Sequence, residues 1–94
     1  LCPVAQVPPF DVKTEYITEI NGVELQTYIE WMRIVTDVTI MNCPAISVPA
    51  GFTEDGLPIG LQIVGPMMAD AGIIHLAAMV ERAHPWAHLW PDGV

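Results

Sequence analysis

Positive charge is the scarcest property of this chain. Its 94 residues carry three bases, Lys13, Arg33 and Arg82, against eleven acids, for a formal net charge of −8. The bases are scattered, so no basic stripe can neutralise phosphates, and the overall field repels nucleic acid and anionic lipid. Long apolar runs are missing too. Pro, Gly, Asp and Glu interrupt every hydrophobic stretch well short of the roughly 18–20 residues of a membrane span, so no contact with a membrane is expected. No basic segment followed by an apolar one opens the chain, so no secretory leader is visible, and the expected compartment is the cytoplasm. Cysteine is limited to Cys2 and Cys43, in unrelated contexts that favour two buried thiols over a disulfide. Serine and lysine occur once each, as Ser47 and Lys13. There is no internal repeat and no low-complexity tract.

Apolar residues are what the chain has in plenty. They make up 52% of it, with only 15% charged, and the mean hydropathy is +0.43. A chain of this length is one domain and buries only about 60–65% of its unfolded surface when it folds alone. The apolar surplus therefore needs a cover. The opening on Leu1, an apolar residue, gives the expectation of a cut chain.

The strongest local signal runs from Pro44 to Gly65. Two apolar strands, about Ala45–Ala50 and Pro58–Val64, carry Ile46, Val48, Ile59, Leu61, Ile63 and Val64, and a turn centred on Asp55-Gly56 joins them. Prolines at 44, 49, 58 and 66 remove ladder donors near the strand ends, which fixes a local register. Upstream, Leu1–Val7 reads as a strand ended by Pro8-Pro9. Phe10–Leu25 reads as an exposed excursion in which Asn21-Gly22 supplies the positive φ of a small hairpin. Tyr28, Ile29, Trp31, Met32 and Val35 recur at three- and four-residue spacings and predict a helix over Gln26 to about Thr39, with Thr36–Met41 ambiguous. A second helix is predicted after Pro66, with Asp70 as N-cap, Ile73, Leu76, Ala77 and Val80 on one face, Arg82 in the last turn and His84-Pro85 as the stop. The tail is expected to be pinned by Trp86 or Trp90.

The run "CPAISVPAGFTEDGLPIGLQIVGP" resembles, without gaps, the C-terminal hairpin of the amidase signature family. "LCPVAQVPPF" is similar to a strand of that family, and "DAGIIHLAAMVERAHPW" to its closing helix. The resemblance implies the last part of a longer enzyme, not a complete catalytic domain: an α/β fold whose mixed β-sheet is flanked by helices, represented here by a β-hairpin, an edge strand and two helices. It also implies hydrolysis of a carboxamide C–N bond through an acyl-enzyme, by a serine, a second serine and a neutral lysine. One serine and one lysine cannot make that trio, so the catalytic residues are expected outside this chain, which alone should be inactive. In the family the segment leading into "PAISVP" comes near the substrate pocket, which makes Asp37, Thr39, Met41 and Asn42 the candidates to line it.

Other chemistry is weaker. Ser47 lacks the flanking glycines of a nucleophile elbow and reads as a strand hydroxyl. Lys13 lies in a polar loop, where a solvated amine keeps its proton. His84 and His88 have ligand-pair spacing, but Pro85 between them spoils the helix, and no metal or cofactor is expected. Cys43 reads as a small buried thiol, and Glu54-Asp55 as turn residues. The expected partners are the remainder of the amidase chain or another copy of this one, with a small amide as substrate of the whole enzyme. The alternative is a small stand-alone α/β interaction or dimerisation module without catalysis.

Overall fold

A computed structural model describes residues 1–90. Its elements, in chain order, are β1 (Cys2–Pro3), β2 (Glu19–Ile20), β3 (Val23–Glu24), a 3-10 turn (Glu30–Met32), α1 (Arg33–Ile40), β4 (Ala45–Phe52), β5 (Pro58–Val64) and α2 (Asp70–Ala83). The fold class is α/β, as expected, with strands in the antiparallel order β1-β5-β4 and a separate β2-β3 ribbon.

The central hairpin forms where the punctuation places it. Ala45 pairs with Val64 and Ile46 with Ile63, and the register shifts between Pro49 and Gly51. That bulge falls where proline withdraws a ladder donor and where Gly51 adopts φ 139°, a backbone open to glycine. At the tip, Gly56 has φ 80°, Thr53 N–H donates to Leu57 C=O at 2.8 Å, and Leu57 N–H donates to Thr53 Oγ1 at 3.0 Å.

Side chains of paired residues share a face, so Ile46, Val48, Leu61 and Ile63 all meet α2. Val48, Ile63, Ile73 and Ala77 are buried, and Val80 and Trp86 pack against them. On the other face, Gln62 is buried, and its side-chain amide donates to Cys2 Sγ at 3.3 Å. Both cysteines are free thiols.

Several expectations need correction. The first strand is two residues long. After Val4 N–H donates to Gly60 C=O at 3.3 Å, the chain leaves the sheet, and Gln6 Oε1 instead accepts from Ile34 N–H of α1 at 3.0 Å. The first helix begins at Arg33, not Gln26, because the preceding turn is tightened by two local bonds. Glu30 N–H donates to Thr27 C=O, and Gln26 N–H to the Glu30 carboxylate at 2.6 Å. The ambiguous stretch Thr36–Met41 is helical through Ile40: the Thr36 and Thr39 hydroxyls donate to the Met32 and Val35 carbonyls one turn back, a local satisfaction open to Ser and Thr. Tyr28, Ile29 and Val35 remain exposed, and the buried α1 position is Val38. Asp70 is the first residue of α2 rather than its cap. The N-cap is Ala69, which makes no side-chain cap bond, although Asp70 still meets the positive helix end. Of the two tryptophans expected to pin the segment after α2, Trp86 packs on the core and Trp90 is exposed.

Of the six bulky hairpin residues, Val48 and Ile63 are buried, Ile46, Leu61 and Val64 half-buried, and Ile59 exposed. Total accessible surface is 7256 Å², against about 5,400 Å² for a compact monomer of this mass. The radius of gyration, 15.1 Å, likewise exceeds the ~12.4 Å of a compact domain of this length. The surplus is conspicuously apolar, since Ile40, Phe52, Met67, Met68, Ile74 and Trp90 are each more than half exposed. No helix among the described residues is long and apolar enough to cross a membrane.

Candidate functional site

The four residues singled out from sequence occupy the end of α1 and its passage into β4. Asp37 lies one turn from Arg33, its carboxylate 3.5 Å from the guanidinium Nε, with both side chains more than half exposed. Such a pair is worth about 0.3–0.5 kcal/mol at most. Met41 follows Asp37 by four residues and shares its side of the helix, and its backbone N–H donates to Asp37 C=O at 3.2 Å. Thr39 sits on the opposite side, its hydroxyl engaged by Val35 C=O at 3.0 Å. Asn42 adopts φ 53°, and its N–H donates to Thr39 C=O at 3.0 Å. Asn tolerates this left-handed conformation better than most residues, and the turn it makes directs the chain through Cys43-Pro44 into β4. Asp37 and Met41 are thus brought together, whereas Thr39 points away from them.

Two concavities lie elsewhere. A cavity of about 250 Å³ is lined by Val4, Val7, Phe10, Trp31, Ile59 and their neighbours. A broader trough of about 780 Å³ runs between the hairpin, from Phe52 near its tip to Leu61 in mid-strand, and the residues after α2, at His84, Trp86 and Leu89. None of the four candidates lines either one. Trp31 is the better-defined feature. Its ring meets Phe10 edge-on at 5.8 Å and Tyr28 at 6.1 Å, and Tyr28 meets Tyr16 at 5.5 Å. This ladder ties the excursion over residues 10–25 to the helical segment. The Trp31 indole N–H is buried without an acceptor, a state that costs about 1–3 kcal/mol. Sequence alone signals the aromatic spacing but not the orphaned donor.

Ser47 is exposed in β4, its hydroxyl beside Gly60. Lys13 is exposed, its backbone N–H held by Asp11 Oδ1 at 2.8 Å. His75, His84 and His88 are exposed as well. What the arrangement offers is a sheet with one covering helix, and no cluster of metal-ligating side chains among the described residues.

Comparison with known proteins adds the lineage. The family profile described as Amidase matches residues 1–74. The chain is 43% identical over 67 residues to a glutamyl-tRNA(Gln) amidotransferase subunit of Thermodesulfovibrio yellowstonii, covering 71% of this chain and 14% of that protein. It is 49% identical over 77 residues to a fatty acid amide hydrolase of Medicago truncatula, covering 82% and 12%. It is 43% identical over 63 residues to an acylamidase of Rhodococcus erythropolis, covering 67% and 13%. The chain therefore spans 14% or less of the length of each of these relatives. No solved structure matches it.

Proposed function

The chain belongs to the amidase family, and from that premise we propose that it is the C-terminal part of an amidohydrolase that cleaves carboxamide C–N bonds through an acyl-enzyme. In this reading the fold is a fragment of the amidase signature fold. The serine nucleophile, the second serine and the lysine base lie in the rest of the enzyme, since Ser47 and Lys13 are the only residues of their types here. The chain contributes sheet strands, the covering helix α2 and, through Asp37 and Met41 on one side of α1 and the turn at Asn42, one wall of the pocket that receives a small amide; Thr39, on the opposite side of α1, is the one candidate that does not share that wall. Its partner is the remainder of the amidase. The observation that carries the reading is the Amidase match over residues 1–74, in a chain exposing roughly 1,900 Å² more surface than a compact monomer of its mass.

The test compares two samples. The full-length enzyme is expected to release ammonia or amine from simple carboxamides, and the homogeneous 94-residue chain to release none. Turnover by the short chain would overturn the reading, as would a natural protein whose intact mass equals that of these residues. The second result would favour the stand-alone interaction module.

A further inference from the structure

α1 has little of its own to hold its first turn. The residue before it, Met32, makes no side-chain cap bond, and the first turn holds no acid. It opens instead on Arg33, a cation at the end where a helix favours anions. The amides of a first turn have no partner inside the helix, and one of them, Ile34 N–H, donates to Gln6 Oε1 at 3.0 Å, from 28 residues away in sequence. Among the described residues this is the one side-chain hydrogen bond that reaches α1 from a distant part of the chain.

Gln6 is itself firmly placed. It follows by two residues Val4, whose N–H donates to Gly60 C=O at 3.3 Å, and Val4 sits so close that a Cβ on Gly60 would come within 2.5 Å of its Cγ1. The Gln6 bond therefore ties the start of α1 to the sheet. At the far end the chain itself is the tether, since Asn42 turns left-handed and Cys43-Pro44 lead directly into β4. Between these two ties only Val38 of α1 is buried, and no strand packs broadly against the helix. Trp31, just before it, lines the smaller cavity with Val4 and Val7, but apolar burial has no direction, whereas a hydrogen bond has one.

We propose that Gln6 is a positioning residue for the pocket wall: by accepting from Ile34 N–H it sets the tilt of α1, and with it the place of Asp37 relative to the substrate. The inference rests on the proposed function, since it needs α1 to face a substrate. Asp37 lies about 7.5 Å of helix from the Asn42 turn, so freeing the start of α1 to swing by about 10° displaces it by about 1.3 Å. A misplacement of about 1 Å can cost about 10²-fold in rate. Gln6 acts through α1 and touches no substrate.

The full-length enzyme tests this with acetamide and benzamide as substrates, at a temperature well below the unfolding midpoint of every variant. Gln6→Met keeps the length of the side chain and removes the acceptor, and is expected to change the ratio of kcat/KM between the two amides at least about tenfold. Gln6→Glu keeps an acceptor, adds an anion suited to a helix start, and is expected to leave the ratio unchanged. A lower midpoint with an unchanged ratio in Gln6→Met would show that the bond only supports the fold, and would overturn the inference while leaving the proposed function standing. An equal change of ratio in both variants would overturn it too, since the acceptor would then not be the cause. Should Gln6→Met fail to fold, Gln6→Asn, one methylene short of Ile34 N–H, is expected to shift the ratio, and an unchanged ratio there would be equally fatal. No ammonia from either amide with the unaltered enzyme would instead remove the proposed function, and this inference with it.

Discussion

Gly65→Ala sets two opposed effects against each other. Gly65 is buried at the end of β5 and has no positive φ, so the backbone accepts alanine without strain. By itself the change should stabilise by about 0.4–1 kcal/mol, through the lower entropy of the unfolded chain. The new methyl, however, would stand 2.5 Å from Ile73 Cγ2, with Ala69 Cβ at 3.5 Å and Pro44 Cγ at 3.8 Å. Ordinary contact begins roughly 1 Å further out, and Ile73 is a core residue of α2 held between the strands and Ala77. Either α2 lifts from the sheet or Ile73 leaves its rotamer, and overpacking of this kind costs about 1–3 kcal/mol. Overpacking wins, for a net loss of about 1–2 kcal/mol. With a urea m-value of about 1 kcal/mol/M, the midpoint should fall by about 1–2 M, as measured by tryptophan fluorescence, since Trp86 packs on the same cluster. The double-mutant cycle is the sharper assay. On an Ile73→Ala background the obstructing methyl is gone, and Gly65→Ala should become neutral or mildly stabilising. A loss that persists there at full size would show that the contact with Ile73 is not its cause and would refute the overpacking account.

Two further substitutions probe the backbone. Met68 holds φ 67° with its side chain almost wholly exposed, so Met68→Gly should raise the unfolding free energy by about 0.5–1 kcal/mol by relieving left-handed strain; an unchanged or lower thermal midpoint would contradict this. Thr53→Val removes the acceptor for Leu57 N–H at the hairpin tip and should cost about 0.5–1 kcal/mol, read as a lower urea midpoint with the m-value unchanged.

The central hairpin was legible because its signals are local. Pro44, Pro49 and Gly56 act through their own dihedrals and missing donors, and the structure puts bulge and turn where they fall. The Asn21-Gly22 turn was legible for the same reason: φ 51° and 80° are what that pair supplies most cheaply. Less legible were the starts of the helices. The apolar spacing of Tyr28, Ile29 and Trp31 satisfies a helical period, yet Tyr28 and Trp31 serve an aromatic ladder reaching Phe10 and Tyr16, a contact between segments that periodicity cannot see. Asp70 had the chemistry of a cap, but a cap also needs the chain to enter from an extended conformation. The entry through Pro66 and Met68 bends too early, and Ala69 takes that position instead.

The candidate pocket wall shows the same limit from another side. Asp37 and Met41 share one side of α1 because four residues make nearly one helical turn, and that could be read from spacing alone. What faces them could not. Ile40 is 76% exposed and Met41 56%, beside the Asp37–Arg33 pair. Two bulky apolar side chains adjoining a charged pair form a surface too apolar to be left to water by choice, yet too polar to be an ordinary core. Such a mixture suits a pocket in which apolar walls exclude water and a few polar groups orient a ligand. A pocket needs an opposing wall, and in the proposed enzyme that wall belongs to the portion bearing the nucleophile. If the proposed pocket wall is right, α1 bears on substrate choice only through a contact between two parts of the enzyme, and Met41→Ala is expected to change the ratio of kcat/KM between small and bulky amides in the full-length protein; an unchanged ratio would remove Met41 from the pocket.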